Sequence, residues 1–266
     1  ADNRFALGAN AVVNGLVDGG EGSDTLSLLT VANTVRVVDM TNFRNFEALA
    51  TAGAGEVRIA ESMAFEDGVR LEGGRLTIGA EAALTASVVG QGGDDTLAVL
   101  GALAGSVDLG AGNDRLILAD IDIISGAVNG GEGTDTIEFR LNAPTTFDKI
   151  GYASFESLVL AGGELTLNAS TDWAGMLTVS SGRLTGLAGT TLTVAGGISV
   201  ASGATFGPAG IVNGNITVAG ILSPGASPGT MTVNGNVTML AGSRLLIELT
   251  PSNGTDLLDV NGVLDI

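Results

Sequence analysis

Several residue types on which catalysis and folding often depend are missing or scarce in this sequence. Cysteine and histidine are both absent, and Lys149 is the only lysine. Without cysteine there are no disulfide bonds and no thiol chemistry. Without histidine there is no Ser-His-Asp or Cys-His catalysis and no zinc site of the usual type within this chain. We therefore expect no catalytic residues.

Aromatic and charged residues are also few, at 4% and 15%, whereas hydrophobic residues make up 45% of the chain. A sequence this apolar is not disordered, and its core has to be built from valine, leucine, isoleucine and alanine. The 29 acidic and 11 basic residues give a net charge of −18. Because nucleic acids and anionic membranes bind basic surfaces, we expect neither as a partner. Cations are the ligands that this charge attracts.

Glycine is abundant, with 42 of 266 residues, and it recurs within internal repeats. The segments VNGNITVAG (212–220) and VNGNVTMLAG (233–242) place their Asn-Gly steps at Asn213 and Asn234. A second motif, G-x-D-x-large apolar, recurs with members at Asp24, Asp95, Asp114 and Asp135, and the last three of these are 19 and 21 residues apart. Both motifs therefore recur with a period of roughly 20 residues, which indicates stacked structural repeats.

A larger duplication covers residues 19–161. GGEGSDTL (19–26) is followed by a Phe-Glu-Ala-Leu segment, and GGEGTDTI (130–137) by Phe-Glu-Ser-Leu. In both copies the phenylalanine comes about one repeat length after the aspartate. We interpret these segments as two copies of one module. Phe46 and Phe155 are predicted to be buried equivalents in the core, and Trp173 is predicted to be core as well.

Short apolar–threonine–apolar runs such as Leu76–Ile78 alternate with the period of a β-strand, with one face inward and one outward. Helix competes with strand only over Phe43–Ala50 and Glu61–Glu66. An antiparallel sandwich with Asn-Gly hairpins is the alternative fold. A sandwich does not need such a long period, whereas stacked coils do. We predict one all-β domain over 1–266, a single-stranded right-handed parallel β-helix (β-solenoid) with about 20–21 residues per coil.

The segment 220–238, GILSPGASPGTMTVNGNVT, resembles the passenger-associated transport repeat of autotransporters, and the resemblance extends over 220–262. The duplicated GGxGxDT…FExL modules of 19–161 also resemble those of large autotransporters. The resemblance implies a passenger of type V secretion, displayed on the cell surface of a Gram-negative bacterium or secreted from it. It also implies that the passenger crosses the outer membrane through its own C-terminal β-barrel translocator, which lies outside this sequence.

The G-x-G-x-D turns also resemble the calcium-binding repeats of RTX proteins, which makes Ca²⁺ the one candidate cofactor. Calcium needs 6–8 oxygen ligands, so two stacked turns are required for one ion. In RTX proteins the motif is a nonapeptide repeated back to back, but here it occurs once per coil. The favoured interpretation is therefore that glycine and aspartate only form tight turns. The candidate metal ligands are Asp95, Asp114 and Asp135, with Asp94 and Asn113 as further oxygen donors. Asp24 is a candidate too, but no copy of the motif lies one coil length away from it, so it has no partner in phase.

An enzyme is the remaining class, because parallel β-helices include pectin-degrading enzymes. The Asp94–Asp95 pair is similar to the paired aspartates of polygalacturonases, but the Gly-His-Gly and Arg-Ile-Lys elements of that family are missing. We predict that the chain is not an enzyme but a stalk that mediates adhesion or autoaggregation, a trait linked to virulence. Its partners are then other copies of itself, a host-surface protein or a glycan. The alternatives are a module that folds on binding calcium outside the cell, and a stalk for an enzyme N-terminal to Ala1.

Overall fold

The chain consists of short β-strands, most of which pair in parallel with a strand about one coil further along the sequence. A computed structural model describes residues 1–225, 228–250 and 254–266. The described chain is an all-β parallel β-solenoid with about 21 residues per coil and no helix. This confirms the predicted architecture and coil length, while the right-handed winding stays a prediction. Phe43–Ala50 and Glu61–Glu66, where helix competed, contain strands instead.

The strands of residues 1–135 are β1 (Arg4–Leu7), β2 (Val17–Asp18), β3 (Thr25–Thr30), β4 (Val35–Val37), β5 (Phe43–Arg44), β6 (Ala48–Gly53), β7 (Glu56–Ile59), β8 (Met63–Ala64), β9 (Gly68–Glu72), β10 (Gly74–Ile78), β11 (Ala83–Thr85), β12 (Val88–Gly90), β13 (Asp95–Val99), β14 (Ala102–Ala104), β15 (Val107–Asp108), β16 (Arg115–Leu118) and β17 (Val128–Asn129). Those that follow are β18 (Thr136–Phe139), β19 (Thr145–Phe147), β20 (Tyr152–Ala153), β21 (Ser157–Leu167), β22 (Thr171–Trp173), β23 (Leu177–Val194), β24 (Ile198–Val200), β25 (Thr205–Asn213), β26 (Ile216–Val218), β27 (Ile221–Leu222), β28 (Thr230–Asn234), β29 (Val237–Met239), β30 (Arg244–Leu245), β31 (Leu249–Thr250), β32 (Gly254–Thr255), β33 (Leu257–Val260) and β34 (Leu264–Asp265). None of the described residues forms a helix long and apolar enough to cross a membrane.

The chain divides into two compact units, residues 1–135 with 151–154 and residues 136–150 with 155–266. The single domain expected over 1–266 stays a prediction. In the first unit, one face is a parallel sheet of eight strands in the order β1-β3-β6-β9-β12-β15-β17-β20. A second face pairs β4, β7, β10, β13 and β16 in succession, and a third pairs β8, β11 and β14.

The interior of the first unit is filled by columns of identical or similar apolar side chains. Val57, Leu76, Leu97 and Leu116 occupy matching positions on four successive coils, and none is more than 1% exposed. Each side chain is therefore buried against the coils before and after it. Burying a side chain of this size contributes about 1.5–3 kcal/mol, so the coils stabilise one another and no coil is stable alone.

The outward positions of the same strands differ from the predicted alternation. Thr77, Ala98 and Ile117 lie between inward residues, yet all three are buried. Over Thr77, the side chain of Arg75 lies along the sheet, and its Nε donates a hydrogen bond to the threonine Oγ1 at 3.0 Å. Long side chains can cover apolar surface in this way. At these three residues the outward face of the strands is therefore covered rather than exposed.

The second unit follows the predicted alternation more closely. Its interior column of Leu158, Leu177, Ile198, Ile216 and Val237 is at most 3% exposed. The threonines and serine that follow these residues are half-buried or exposed. Strands β21, β23 and β25 are long, and each pairs with two separate shorter strands of neighbouring coils. Strands β31 and β32 form an antiparallel pair.

Candidate functional site: the aspartate turns

The G-x-D turns of Asp95, Asp114 and Asp135 stack on successive coils of the first unit. The backbone N–H of Gly73 donates to Oδ1 of Asp95 at 2.9 Å. The N–H of Asp95 donates to Oδ1 of Asp114 at 2.7 Å, and the N–H of Asp114 donates to Oδ1 of Asp135 at 2.7 Å. Each carboxylate therefore caps the backbone of the preceding coil. The predicted stacking of Asp95, Asp114 and Asp135 is confirmed, and we name these three residues the aspartate column.

The glycine two residues before each aspartate has a positive φ, and at Gly112 and Gly133 it is also required by the close approach of the coils, whereas a Cβ on Gly93 would meet nothing within 4 Å. Gly93, Gly112 and Gly133 adopt φ values of 91°, 147° and 134°, in the region that favours glycine. A Cβ atom on Gly112 would lie 2.3 Å from the carbonyl oxygen of Gly93, and one on Gly133 only 1.8 Å from that of Gly112. The glycines of the motif therefore allow the turns to stack at the distance that the aspartate hydrogen bonds need.

The aspartate column is buried, with Asp95 and Asp114 each 1% exposed. In both, Oδ2 is buried without a hydrogen-bond partner. Burial raises the pKa of Asp95 to about 6, opposed by the Gly73 N–H and reinforced by the charge of Asp94. Burial likewise raises the pKa of Asp114 to about 6, opposed by the Asp95 N–H and reinforced by the charges of Asp135, Asp95 and Asp94. Asp95 and Asp114 therefore take up protons more readily than surface carboxylates do.

Asp94 and Asn113, the further predicted donors, form a separate exposed ladder beside the aspartate column. The N–H of Asn113 donates to Oδ1 of Asp94 at 2.8 Å, and the N–H of Thr134 donates to Oδ1 of Asn113 at 3.1 Å. Asp94 is exposed while Asp95 is buried. The two neighbouring carboxylates are thus in different environments, and their side chains do not form a pair on one surface.

Asp24 does not belong to the aspartate column, which agrees with its lack of a partner in phase, and it lies on a different face. It precedes β3, which belongs to the eight-stranded sheet. Its Oδ1 accepts the N–H of Asn3 at 2.7 Å, and its own N–H donates to Oε2 of Glu47 at 2.9 Å. Sequence reasoning missed this role of Glu47. The signal was the glutamate that follows the phenylalanine in both module copies.

The aromatic residues of the modules are in the core. Phe46 and Phe155 are 7% and 2% exposed, and Trp173 is 1% exposed. The prediction that they fill the interior is confirmed, and an exposed recognition surface made of these rings is excluded.

Asp256 shows how a buried aspartate is satisfied in the second unit. Its Oδ1 accepts the N–H of Gly229 and its Oδ2 accepts the N–H of Glu248, both at 2.9 Å. Both oxygens are therefore used. In Asp95 and Asp114 only one oxygen is used, so those two carboxylates are the less satisfied ones.

The geometry offers few free oxygens to a cation. Among the described residues, no group of three or more His, Cys, Asp or Glu side chains is arranged to hold a metal ion. In the aspartate column each Oδ1 already accepts a backbone N–H, which leaves Oδ2 of Asp95 and Asp114 as the free side-chain donors. Calcium needs 6–8 oxygens. Calcium binding at these turns stays a prediction.

A second ladder of polar side chains lies on the surface of the second unit, where the VNGN repeats stack in the predicted register. Nδ2 of Asn234 donates to Oδ1 of Asn213 at 2.8 Å, and Nδ2 of Asn261 donates to Oδ1 of Asn234 at 2.9 Å. We name these three residues the asparagine ladder. Gly235 is required beside it, because a Cβ there would lie 2.3 Å from the carbonyl oxygen of Gly214.

The comparisons with known proteins give no family for the chain. No protein-family model matches it. No curated protein and no solved structure matches it either. The resemblance to autotransporter passengers therefore depends on the sequence motifs alone, and within 220–262 residues 226–227 and 251–253 lie outside the described residues.

Proposed function

We propose that the chain is the β-solenoid stalk of a bacterial surface adhesin, exported as an autotransporter passenger. The observation that carries the proposal is the repeated stacking of coils, with polar side chains aligned at the surface. Within each unit, such an architecture presents a lateral face of stacked coils rather than one enclosed site. The motifs of 19–161 and 220–262 support the secretion route and the Gram-negative surface.

The environments of the acidic residues support a structural role over a catalytic one. Glycoside hydrolysis requires two carboxyl groups that flank one bond of the substrate. Asp94 is exposed and Asp95 is buried, so this pair does not meet that requirement. The aspartate column instead accepts backbone N–H groups, as expected for residues that join one coil to the next.

Lateral self-association is the adhesive mechanism that we favour, with the asparagine ladder as its contact surface. Asn234 and Asn261 are exposed, and each amide keeps hydrogen-bonding capacity beyond the ladder itself. The net charge of −18 opposes contact between two copies. Salt screens this repulsion, so association through neutral amides should strengthen as ionic strength rises.

Sedimentation velocity tests this mechanism. At about 10 mM NaCl the Debye length is about 30 Å, and at about 1 M it is about 3 Å. The chain should be monomeric at low salt and associate at high salt in a concentration-dependent way. Replacing the three ladder asparagines by serine should abolish association, while Asn142→Ser, at an exposed asparagine outside the ladder, should not. A monomer under all conditions would exclude self-association as the mechanism.

Calcium-dependent folding is the second candidate function. The observation that favours it is the pair of buried Oδ2 atoms on Asp95 and Asp114 that lack a hydrogen-bond partner. Thermal unfolding followed by circular dichroism, in EDTA, in calcium and in magnesium, tests it. A rise in melting temperature of several degrees with calcium alone, absent in Asp114→Asn, would support the candidate. Equal melting temperatures in all three solutions would exclude it.

A further inference from the structure

A cavity of about 190 Å³ lies at the N-terminal end of the first unit. Its walls include the buried core residues Leu7, Leu26, Leu28 and Val38, together with the half-buried Phe43. Nine of the twelve residues that line the cavity have apolar side chains, and the other three are Arg36, Asp39 and Asn42. The cavity is therefore suited to a ligand that has both an apolar part and a polar part.

Arg36 is the charged group that faces this apolar space. It pairs with Val57 in the register of β4 and β7, so it begins the interior column that continues with Leu76. An arginine thus occupies a position where later coils place a valine or leucine. Its guanidinium is half-buried, and burial lowers the pKa of Arg36.

The guanidinium of Arg36 has no anionic partner among the residues that the structure describes. Its two terminal nitrogens donate to neutral backbone carbonyls, Gly8 at 2.8 Å and Ala11 at 3.1 Å. Asp39 also lines the cavity, but it is an exposed residue and its Oδ1 accepts the N–H of Thr41 at 2.8 Å. A partly desolvated cation without a counterion favours binding of an anion.

The segment 8–13 forms the outer wall of the cavity and is held to it by few contacts. Besides the two bonds from Arg36, Nδ2 of Asn42 donates to the carbonyl oxygen of Val13 at 2.9 Å. Val12 in this segment is 80% exposed. A wall with so little buried surface is stabilised by less free energy than the strands beneath it, so it can open to admit a ligand.

We propose that this cavity binds an amphiphile with an anionic head, a medium-chain fatty carboxylate, whose apolar tail packs against the wall formed by Leu26 and Leu28 while its carboxylate pairs with Arg36. The shape and apolar walls select the tail, and the guanidinium selects the charge of the head group. A carboxylate matches the planar donors of arginine in a bidentate pair. This site is independent of the stalk function proposed above.

Isothermal titration calorimetry with three ten-carbon probes tests the proposal on the wild-type protein. Decanoate should bind at one saturable site, decanol roughly tenfold more weakly, and decyltrimethylammonium not measurably at that site. The net charge of −18 attracts the cationic probe and repels decanoate everywhere else on the surface. A preference for decanoate therefore has to arise from a local positive group.

The variant Arg36→Met removes the charge and keeps an unbranched side chain in the column. It should lose the roughly tenfold preference for decanoate over decanol. Arg58→Met is the matched control, because Arg58 lies on the next coil, pairs with Glu56 at 2.9 Å and does not line the cavity. Circular dichroism checks that both variants remain folded.

Two results would overturn the proposal. One is the absence of saturable decanoate binding to the wild-type protein. The other is equal binding of decanoate and decanol, which would assign the cavity to apolar molecules without a role for Arg36. Because the comparison of head groups is made on the wild-type protein, it decides the question even if Arg36→Met unfolds the first coil.

Discussion

The protonation of Asp95 and Asp114 should make the first unit more stable in mild acid than at neutral pH. Both carboxylates are buried on adjacent coils, and their pKa is raised from 3.8 to about 6. The folded protein therefore binds protons more tightly at these sites than the unfolded chain does. Their stabilising contribution is fully present below about pH 4 and is lost as the pH rises through about 6.

The size of the effect follows from the shift in pKa. One pKa unit corresponds to about 1.4 kcal/mol, so a shift from 3.8 to about 6 corresponds to about 3 kcal/mol for one carboxyl group. The two groups are neighbours, and a proton on one removes a repulsive charge from the other. The pair together should therefore contribute less than twice this amount.

The variant Asp114→Asn isolates this contribution. The asparagine Oδ1 can still accept the Asp95 N–H, while the charge is removed. Urea unfolding followed by circular dichroism should show that the variant is more stable than the wild-type protein by roughly 1–3 kcal/mol at about pH 7.5. At about pH 4 the difference should be close to zero. Protonation of carboxylates that do not interact with Asp114 affects both proteins equally and cancels in the comparison, whereas Asp95 and Asp135 lose a neighbouring negative charge in the variant.

Asp94→Asn is the matched control for this experiment. Asp94 is adjacent in sequence, its Oδ1 also accepts a backbone N–H, and it is exposed. Its charge is the smallest of the causes that raise the pKa of Asp95 and Asp114, so its replacement should change the free energy of unfolding by no more than about 0.5 kcal/mol at either pH. The reasoning would be refuted if Asp114→Asn were the less stable protein at neutral pH, because the buried charge would then be stabilising.

Three further variants test other features of the solenoid. Gly235→Ala should destabilise the second unit by roughly 2–4 kcal/mol, because its Cβ would meet a backbone oxygen at 2.3 Å, whereas Gly15→Ala, in open space, should have little effect. Leu97→Ala should cost roughly 2–5 kcal/mol, and the exposed Val89→Ala control less than about 0.5 kcal/mol, both measured by urea unfolding. Asn234→Asp removes one donor of the asparagine ladder and should lower the melting temperature at neutral pH but less so near pH 4, where the carboxyl group can donate.

The fold could be predicted because stacking imposes its period on the sequence. Asn213 and Asn234 are one mean coil length apart in the sequence, and in the structure they are direct register partners. The mean period does not give the length of every coil, however. The coil that joins Ile198 to its partner Ile216 is shorter than the mean, and the one that joins Val237 to Leu264 is longer. Turns absorb these insertions and deletions, so the register of a single coil cannot be derived from the mean repeat.

The site was predicted only in part. The spacing of Asp95, Asp114 and Asp135 indicated a column, but not that these carboxylates are buried. Strand alternation normally tells inward from outward residues. Here a glycine with positive φ, such as Gly112, lies two residues before each aspartate and interrupts the alternation of inward and outward side chains. The alternation therefore starts anew within the turn. The direction of the side chain then depends on backbone angles that the sequence pattern does not specify.

The two module copies show that the turn has the same local geometry on different faces of the coil. A Cβ on Gly19 would lie 2.0 Å from the carbonyl oxygen of Asn45, and one on Gly130 would lie 2.0 Å from that of Ser154. Asn45 and Ser154 also share a positive φ, 55° and 54°. Yet β2 and β5 of the first copy form a separate two-stranded sheet, whereas β17 and β20 of the second end the eight-stranded sheet.

The same local geometry therefore forms on two different faces. Its conformation is determined by its own glycines and aspartate, and the face on which it lies depends on the number of residues in the preceding coils. This is why Asp24 has the motif of the aspartate column without belonging to it.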